Sequence, residues 1–131
     1  MMTVGIWKLT VLLACAGGLA ACGGVEDAQA AARVEVQVDP SPPRMGPSSL
    51  NIRLTDESGQ PVTGAVVRVE GNMNHAGMKP VFTDLTESEP GRYAGTLEFT
   101  MGGDWFLLIN ARLPDGTTIS HKEDIHGVKA Q

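Results

Sequence analysis

The sequence predicts an all-β chain folded as an immunoglobulin-like β-sandwich of about seven strands. Three features carry that expectation. Apolar residues alternate with polar ones in Arg33-Val-Glu-Val-Gln-Val38 and again in Ser49-Leu-Asn-Ile-Arg-Leu54, the period of a half-buried strand. Clusters of Gly, Pro, Asp and Ser punctuate the chain at intervals short enough for a sandwich. Beyond residue 22, apolar residues never recur at helical spacing.

The elements follow in order. The first strand covers 33–38. Pro40 to Pro47 carries four prolines and reads as a loop. The second strand is Ser49–Leu54, ended by the turn residues Asp56-Glu-Ser-Gly-Gln-Pro61. A third strand lies within Val62–Glu70, around Ala65-Val-Val-Arg-Val69. The segment Gly71–Pro80, GNMNHAGMKP, reads as a loop. Val81–Leu85 is a short fourth strand, and Glu87-Ser-Glu-Pro-Gly91 is a turn. Arg92–Phe99 is the fifth strand, and Thr100–Asp104 a tight connection. Trp105–Leu113 is the most apolar run and reads as a central sixth strand. Pro114-Asp-Gly116 turns into a last strand from Thr117 to about His126. The chain's two cysteines, Cys15 and Cys22, both precede the first strand, so the disulfide common in such sandwiches is not expected within the domain.

The amino-terminal region reads as a targeting segment. Lys8 supplies a positive flank, Leu9–Ala16 a short apolar run, and Gly18–Ala21 the small residues before a cleavage point. Leu19-Ala-Ala-Cys22 resembles a bacterial lipobox, in which the cysteine is lipidated and becomes the first mature residue. Leu12-Leu-Ala-Cys15 fits less well because its apolar run is short. A plain secreted chain cleaved near Ala21 is the alternative. The expected organisation is therefore a lipoprotein signal over 1–21, a flexible Gly/Ala-rich tether over 22–32, and a β-sandwich domain over 33–131. Gly23 after Cys22 carries no inner-membrane retention signal, which points to the outer membrane, facing the periplasm.

Charge bounds the partners. The whole chain has ten basic and fifteen acidic residues, a net charge of −5. Removing Lys8 with the signal leaves a mature charge of −6. Without a basic stripe, such a domain is a poor nucleic-acid binder, because phosphate contacts need clustered cations. No nucleophile elbow, phosphate-binding loop or zinc-protease motif is present, nor a calcium loop of EF-hand type. Asp56, Glu57, Glu87 and Glu89 read as solvated turn acids. His121 shares a strand face with Glu123 and reads as a solvated strand residue. Asp124, two residues from His126, makes at most a weak pair with it. The chain is expected not to be an enzyme.

The loop 71–80 holds the remaining chemistry. Thioether sulfur is a soft ligand suited to Cu(I), and imidazole suits copper in either oxidation state. Met73, His75 and Met78 are spaced M-x-H-x-x-M, which a turn can converge on one point, with Gly71 and Gly77 free to adopt positive φ. If every strand reverses direction, the connections 1–2, 3–4 and 5–6 and the carboxy terminus meet at one end. That places Met101 and His126 beside the loop as further candidate ligands. The alternative is that these methionines fill the edge of the core as adaptable apolar groups and the histidines stand in solvent.

The blocks Leu50-Asn-Ile-Arg-Leu-Thr-Asp56, Gly59-Gln-Pro-Val62, Gly64-Ala-Val-Val67, the Met/His loop, Pro90-Gly-Arg-Tyr-Ala-Gly95 and Met101-Gly-Gly-Asp-Trp105 together resemble the YtkA-like and FixH-like domain family over about residues 34–113. The resemblance implies an immunoglobulin-like sandwich outside the cytoplasm and an association with copper handling or oxidase assembly. It maps the family's Met/His loop onto Met73, His75 and Met78. The chain differs from FixH-type members in carrying a lipobox where they carry a transmembrane helix. The expected function is a lipid-anchored copper-binding protein that stores Cu(I) or passes it to an envelope partner such as a copper acceptor. A metal-free interaction module of the envelope is the alternative.

Overall fold

A computed structural model describes residues 32–130. The signal over 1–21, Cys22 and the tether as far as residue 31 lie outside the described residues. Seven antiparallel strands run β1 (Ala32–Asp39), β2 (Gly46–Asp56), β3 (Val66–Asn72), β4 (Val81–Glu89), β5 (Arg92–Phe99), β6 (Gly103–Arg112) and β7 (Thr118–Val128). Their spatial order is β1-β2-β5-β4-β3-β6-β7. Split at β4, this gives one layer of β1-β2-β5-β4 and one of β3-β6-β7, the strand order of a seven-stranded immunoglobulin-like sandwich. All seven strands were legible from alternation and turn residues.

Most strand ends differ by a few residues from the sequence reading, Ala32 belonging to β1 rather than the tether and Gly103 to β6 rather than the connection before it, and three differences have a tertiary reason. Strand β4 runs on to Glu89 rather than ending at Leu85. Its first half pairs with β3, from Gly71↔Val81 to Val67↔Leu85. Its second half crosses to β5 at Thr86↔Ala94 and Glu87↔Tyr93. The expected turn over 87–91 therefore shrinks to Pro90-Gly91. Pro47, read as loop, lies in β2. There β2 pairs with β5 at Pro47↔Glu98, while its pairing with β1 stops at Ser49. A proline without an N–H is tolerated where a strand has a partner on one side only. Gly71 stands in β3 instead of the loop, at an ordinary strand φ. A Cβ there would touch the Trp105 ring at 3.4 Å, so anything larger than alanine would displace the indole.

The core fills the space between the layers. Leu50, Ile52, Leu54, Tyr93 and Leu97 face Val67, Val69, Leu107, Ile109 and Ala111, all buried. The Phe99 and Trp105 rings meet edge to face, 5.2 Å apart at 80°, a favoured aromatic geometry. Ser48 is the exception. It is only 2 % exposed, and its hydroxyl has no hydrogen-bond partner among the described residues. An unpaired buried hydroxyl costs its desolvation without recompense. Ser48→Ala is therefore expected to stabilise the domain by about 1 kcal/mol. Chemical denaturation reads this, and a variant less stable than the parent would contradict it.

The pole where the chain enters β1 is tied by backbone and side-chain bonds. Tyr93 donates its hydroxyl to the Val62 carbonyl at 2.8 Å and accepts from the Ala65 amide at 3.1 Å. Burial raises its pKa, with the Ala65 amide pulling the other way. Glu87 was read as a solvated acid. It accepts from the amides of Gly91 at 3.2 Å and Gly64 at 3.3 Å. Desolvation pushes its carboxyl up, but these bonds outweigh that and hold it below its ordinary value. Asp56 closes its own turn through one oxygen, Oδ1, which accepts from Ser58 and Gln60. The Ser58 hydroxyl is the main cause of its lowered pKa. These acids brace turns.

Strand β7 is an edge. His121 and Glu123 lie on its inward side, opposite Ile109 and Leu107, half-buried and 2.8 Å apart. An inward polar pair on an edge strand hinders pairing with another chain. His121 is thus a structural partner of Glu123 rather than a free solvated residue.

Candidate metal site

The opposite pole gathers the connections that strand parity expects there. The Met45 amide donates to the Lys129 carbonyl at 2.9 Å, and the Lys129 amide to the Pro43 carbonyl at 3.0 Å. The Trp105 indole N–H donates to the Met101 carbonyl at 2.9 Å, which pins the β5–β6 connection down against the core. The β1–β2, β3–β4 and β5–β6 connections and the end of β7 are therefore neighbours.

Between them lies an open cavity of about 510 Å³, whose wall includes Met73, His75, Asp104, Trp105, Asp124 and His126. Met73 leaves β3 and packs half-buried against the core. Its position depends on Gly103, where a Cβ would stand 3.1 Å from the Met73 methyl. The φ of 121° at Gly103 likewise favours glycine. His75 stands exposed on the loop, its Nδ1 3.2 Å from the Ala76 carbonyl, and its own carbonyl accepts from the Met78 amide at 3.3 Å. Gly77 has the positive φ, 81°, that this turn needs.

Strand β7 brings His126. Trp105 pairs with Ile125 and Gly103 with Val128, so Asp104 faces two residues, His126 and Gly127. This is a β-bulge, which re-aims side chains and resets strand parity. Ile125 and Val128 both turn toward the core, and His126 is left on the cavity wall. Asp104 Oδ1 accepts from the Gly127 amide at 2.8 Å and lies 3.7 Å from His126 Nδ1. Asp124 pairs with Lys122 at 3.6 Å rather than with His126.

Of the five candidate ligands, Met73, His75 and His126 share this cavity. Met78 packs half-buried against the core and is not part of the cavity wall, while Met101 is 39 % exposed and lies outside it too. Sequence reasoning missed Asp104. The signal that could have found it is Gly127 inside a strand pattern, which marks a bulge.

Among the described residues, no three His, Cys, Asp or Glu side chains are grouped to hold a metal ion. Thioether sulfur from Met73 with imidazoles from His75 and His126 is the combination that Cu(I) accepts. The glycine cradle at 103 leaves the Met73 methyl the room it occupies.

A search of curated proteins finds no sequence that matches this chain. The fold is similar to the Lin-41 filamin domain, at 16 % identity and a TM-score of 0.49, over 75 % of this chain and 91 % of that one. It is also similar to part of MtrC from Shewanella baltica OS185, at 17 % identity and a TM-score of 0.42, over 76 % of this chain and 22 % of that one. The YtkA-like family profile matches residues 26–110. That span is more than half of the sequence and includes strands β1 to β5, the Met/His loop and most of β6, and on it the chain belongs to the YtkA-like family.

Proposed function

We propose that this chain is a lipid-anchored, extracytoplasmic copper-binding protein that holds Cu(I) at the Met/His pole and passes it to an envelope partner. The observation that supports this best is that Met73, His75 and His126, from two separate parts of the chain, line one cavity. Exposed imidazoles beside a half-buried thioether suit transfer, because an acceptor can replace the outer ligands first. Strand β1 starts opposite Asp56, at the pole away from the cavity. A lipid on Cys22 would hold the domain by that far pole and present the cavity to the aqueous side, facing the periplasm from the outer membrane.

The test is Cu(I) titration of residues 22–131 against a competing chelator, with Cys22→Ala so that no thiol competes. One equivalent is expected to bind. Met73→Ala and His75→Ala are each expected to weaken binding by at least about tenfold, as for the loss of one good ligand-side interaction. Met78→Ala is expected to cost less. Unchanged affinity in both of the first two variants would remove this function.

A second reading, a metal-free interaction module, draws on a different surface. Val66 and Phe82 on the outer face of β3 and β4 are 70 % and 51 % exposed. That reading gains if no copper binds and Phe82→Glu abolishes association with an envelope partner.

A further inference from the structure

We propose that β1 is a self-association site, pairing antiparallel with β1 of a second copy of this chain about a two-fold axis at Val36. The two outer strands of the domain differ in how their free edges are treated. Strand β7 carries the inward polar pair His121 and Glu123 and the bulge opposite Asp104, devices that discourage a further strand. Strand β1 has neither. It pairs with β2 in unbroken register from Ala32↔Asp56 to Asp39↔Ser49, and among the described residues no strand pairs with its other side. It contains no proline, and its inward residues Ala32, Val34, Val36 and Val38 are apolar and only half-buried against the core. Such an edge presents a row of backbone N–H and C=O groups to which another strand can add.

The residues of β1 select both the occupant and the register. In an antiparallel pair, residues opposite each other share one side of the sheet. With Val36 opposite its own copy, Val34 meets Val38 of the second copy, Glu35 meets Gln37, and Arg33 meets Asp39. The valines stay on the core side, and the two-fold axis forms the Arg33–Asp39 contact twice. Within the domain these two exposed residues stand opposite uncharged neighbours, Arg33 opposite Thr55 and Asp39 opposite Ser49. Among the described residues neither has an ion-pair partner. A slip of two residues sets Glu35 against its own copy in one direction and against Asp39 in the other, and like charges directly opposite are unfavourable. A slip of one residue sets valines against polar residues and turns one strand's apolar side outward. The selected register joins the β1-β2-β5-β4 layers of two copies into one sheet, a closed two-fold assembly. The Met/His cavity is walled from β6, β7 and the β3–β4 and β5–β6 connections, so pairing through β1 leaves it open in both copies.

Sedimentation equilibrium of residues 22–131, with Cys22→Ala so that no thiol links two chains, reads the association. One strand pair is a small interface, so a dissociation constant on the order of 10–100 µM is expected. Arg33→Asp and Asp39→Arg each turn two attractions into repulsions, and each is expected to weaken the dimer at least about fivefold. The two combined restore opposite charges in the same register and are expected to return the constant to within about twofold of the parent. Melting temperatures are expected to stay at the parent value, because both positions are exposed and face uncharged neighbours. If a reversal lowers the melting temperature, oxidative cross-linking reads the register without changing these charges. Val36→Cys is expected to link two copies faster than Glu35→Cys, since only the first stands opposite itself. A parent that remains monomeric at about 1 mM would overturn the proposal. So would a dimer equally tight in the parent and both single reversals, which would form through another surface, or equal linking rates at the two cysteine positions.

Discussion

Trp105→Ala is expected to destabilise the domain by about 3–5 kcal/mol, the range for deleting a large buried aromatic side chain. The indole is 2 % exposed. It lies edge-on to Phe99 and in contact range of Gly71, so truncation leaves a cavity walled by strands that cannot close over it. It also removes the donor to the Met101 carbonyl, the bond that holds the β5–β6 connection. Against a total stability of about 5–15 kcal/mol for a domain, such a loss leaves a measurable unfolded fraction. Urea denaturation gives the value directly. Trp105→Phe keeps most of the packing and loses the hydrogen bond, so its expected cost is nearer 1 kcal/mol. Because the same ring walls the cavity, Trp105→Ala should also weaken the copper binding proposed for it, even under conditions where the domain remains folded. A loss below about 1.5 kcal/mol would show that the pole repacks, which a close-packed core resists.

Gly91→Ala is the second large effect, expected at about 2–5 kcal/mol from two added causes. Gly91 has a φ of 76°, where a side chain costs about 1–2 kcal/mol. A Cβ would also stand 2.7 Å from Pro61 Cβ and 2.9 Å from the Leu54 carbonyl oxygen, and forced overpacking costs typically about 1–3 kcal/mol. The surroundings cannot yield cheaply. The Gly91 carbonyl accepts from the Leu54 amide at 2.8 Å, and its own amide is held by Glu87. Gly59 is the control. Its φ of 82° is similar, yet nothing lies within 4 Å of a Cβ there. Gly59→Ala should therefore show the backbone cost alone, about 1 kcal/mol. Equal effects at the two positions would mean that the contact with Pro61 contributes nothing.

Both poles show how far local pattern reaches. Val34, Val36 and Val38 alternate with charged or polar neighbours because one face of β1 is wet, and that is visible in six residues. The turn at Asp56 is likewise local, closed by bonds to residues 58 and 60. The part of β4 beyond Leu85 was not visible. Thr86-Glu-Ser-Glu89 lacks an apolar alternation because these residues are mostly exposed, and only the approach of β5 makes them a strand. Glu87 looked like a solvent acid for the same reason, since its acceptors' partners lie at Gly64 and Gly91. In the candidate site, the pairing of Met73 with His75 needed only their spacing. The joining of His126 needed the parity of six connections. Asp104 needed the bulge, whose register no single strand records.

Seven strands, their turns, the methionines and histidine grouped on one loop and the membership of a family follow from residue order alone, because alternation, turn chemistry and residue spacing act over a few neighbouring positions. Which of those side chains share a wall, and how the bulge sets Asp104 opposite His126 and Gly127, were decided by strand pairing across the sandwich. Those outcomes depend on contacts between residues up to about fifty positions apart, and no local window contains both partners.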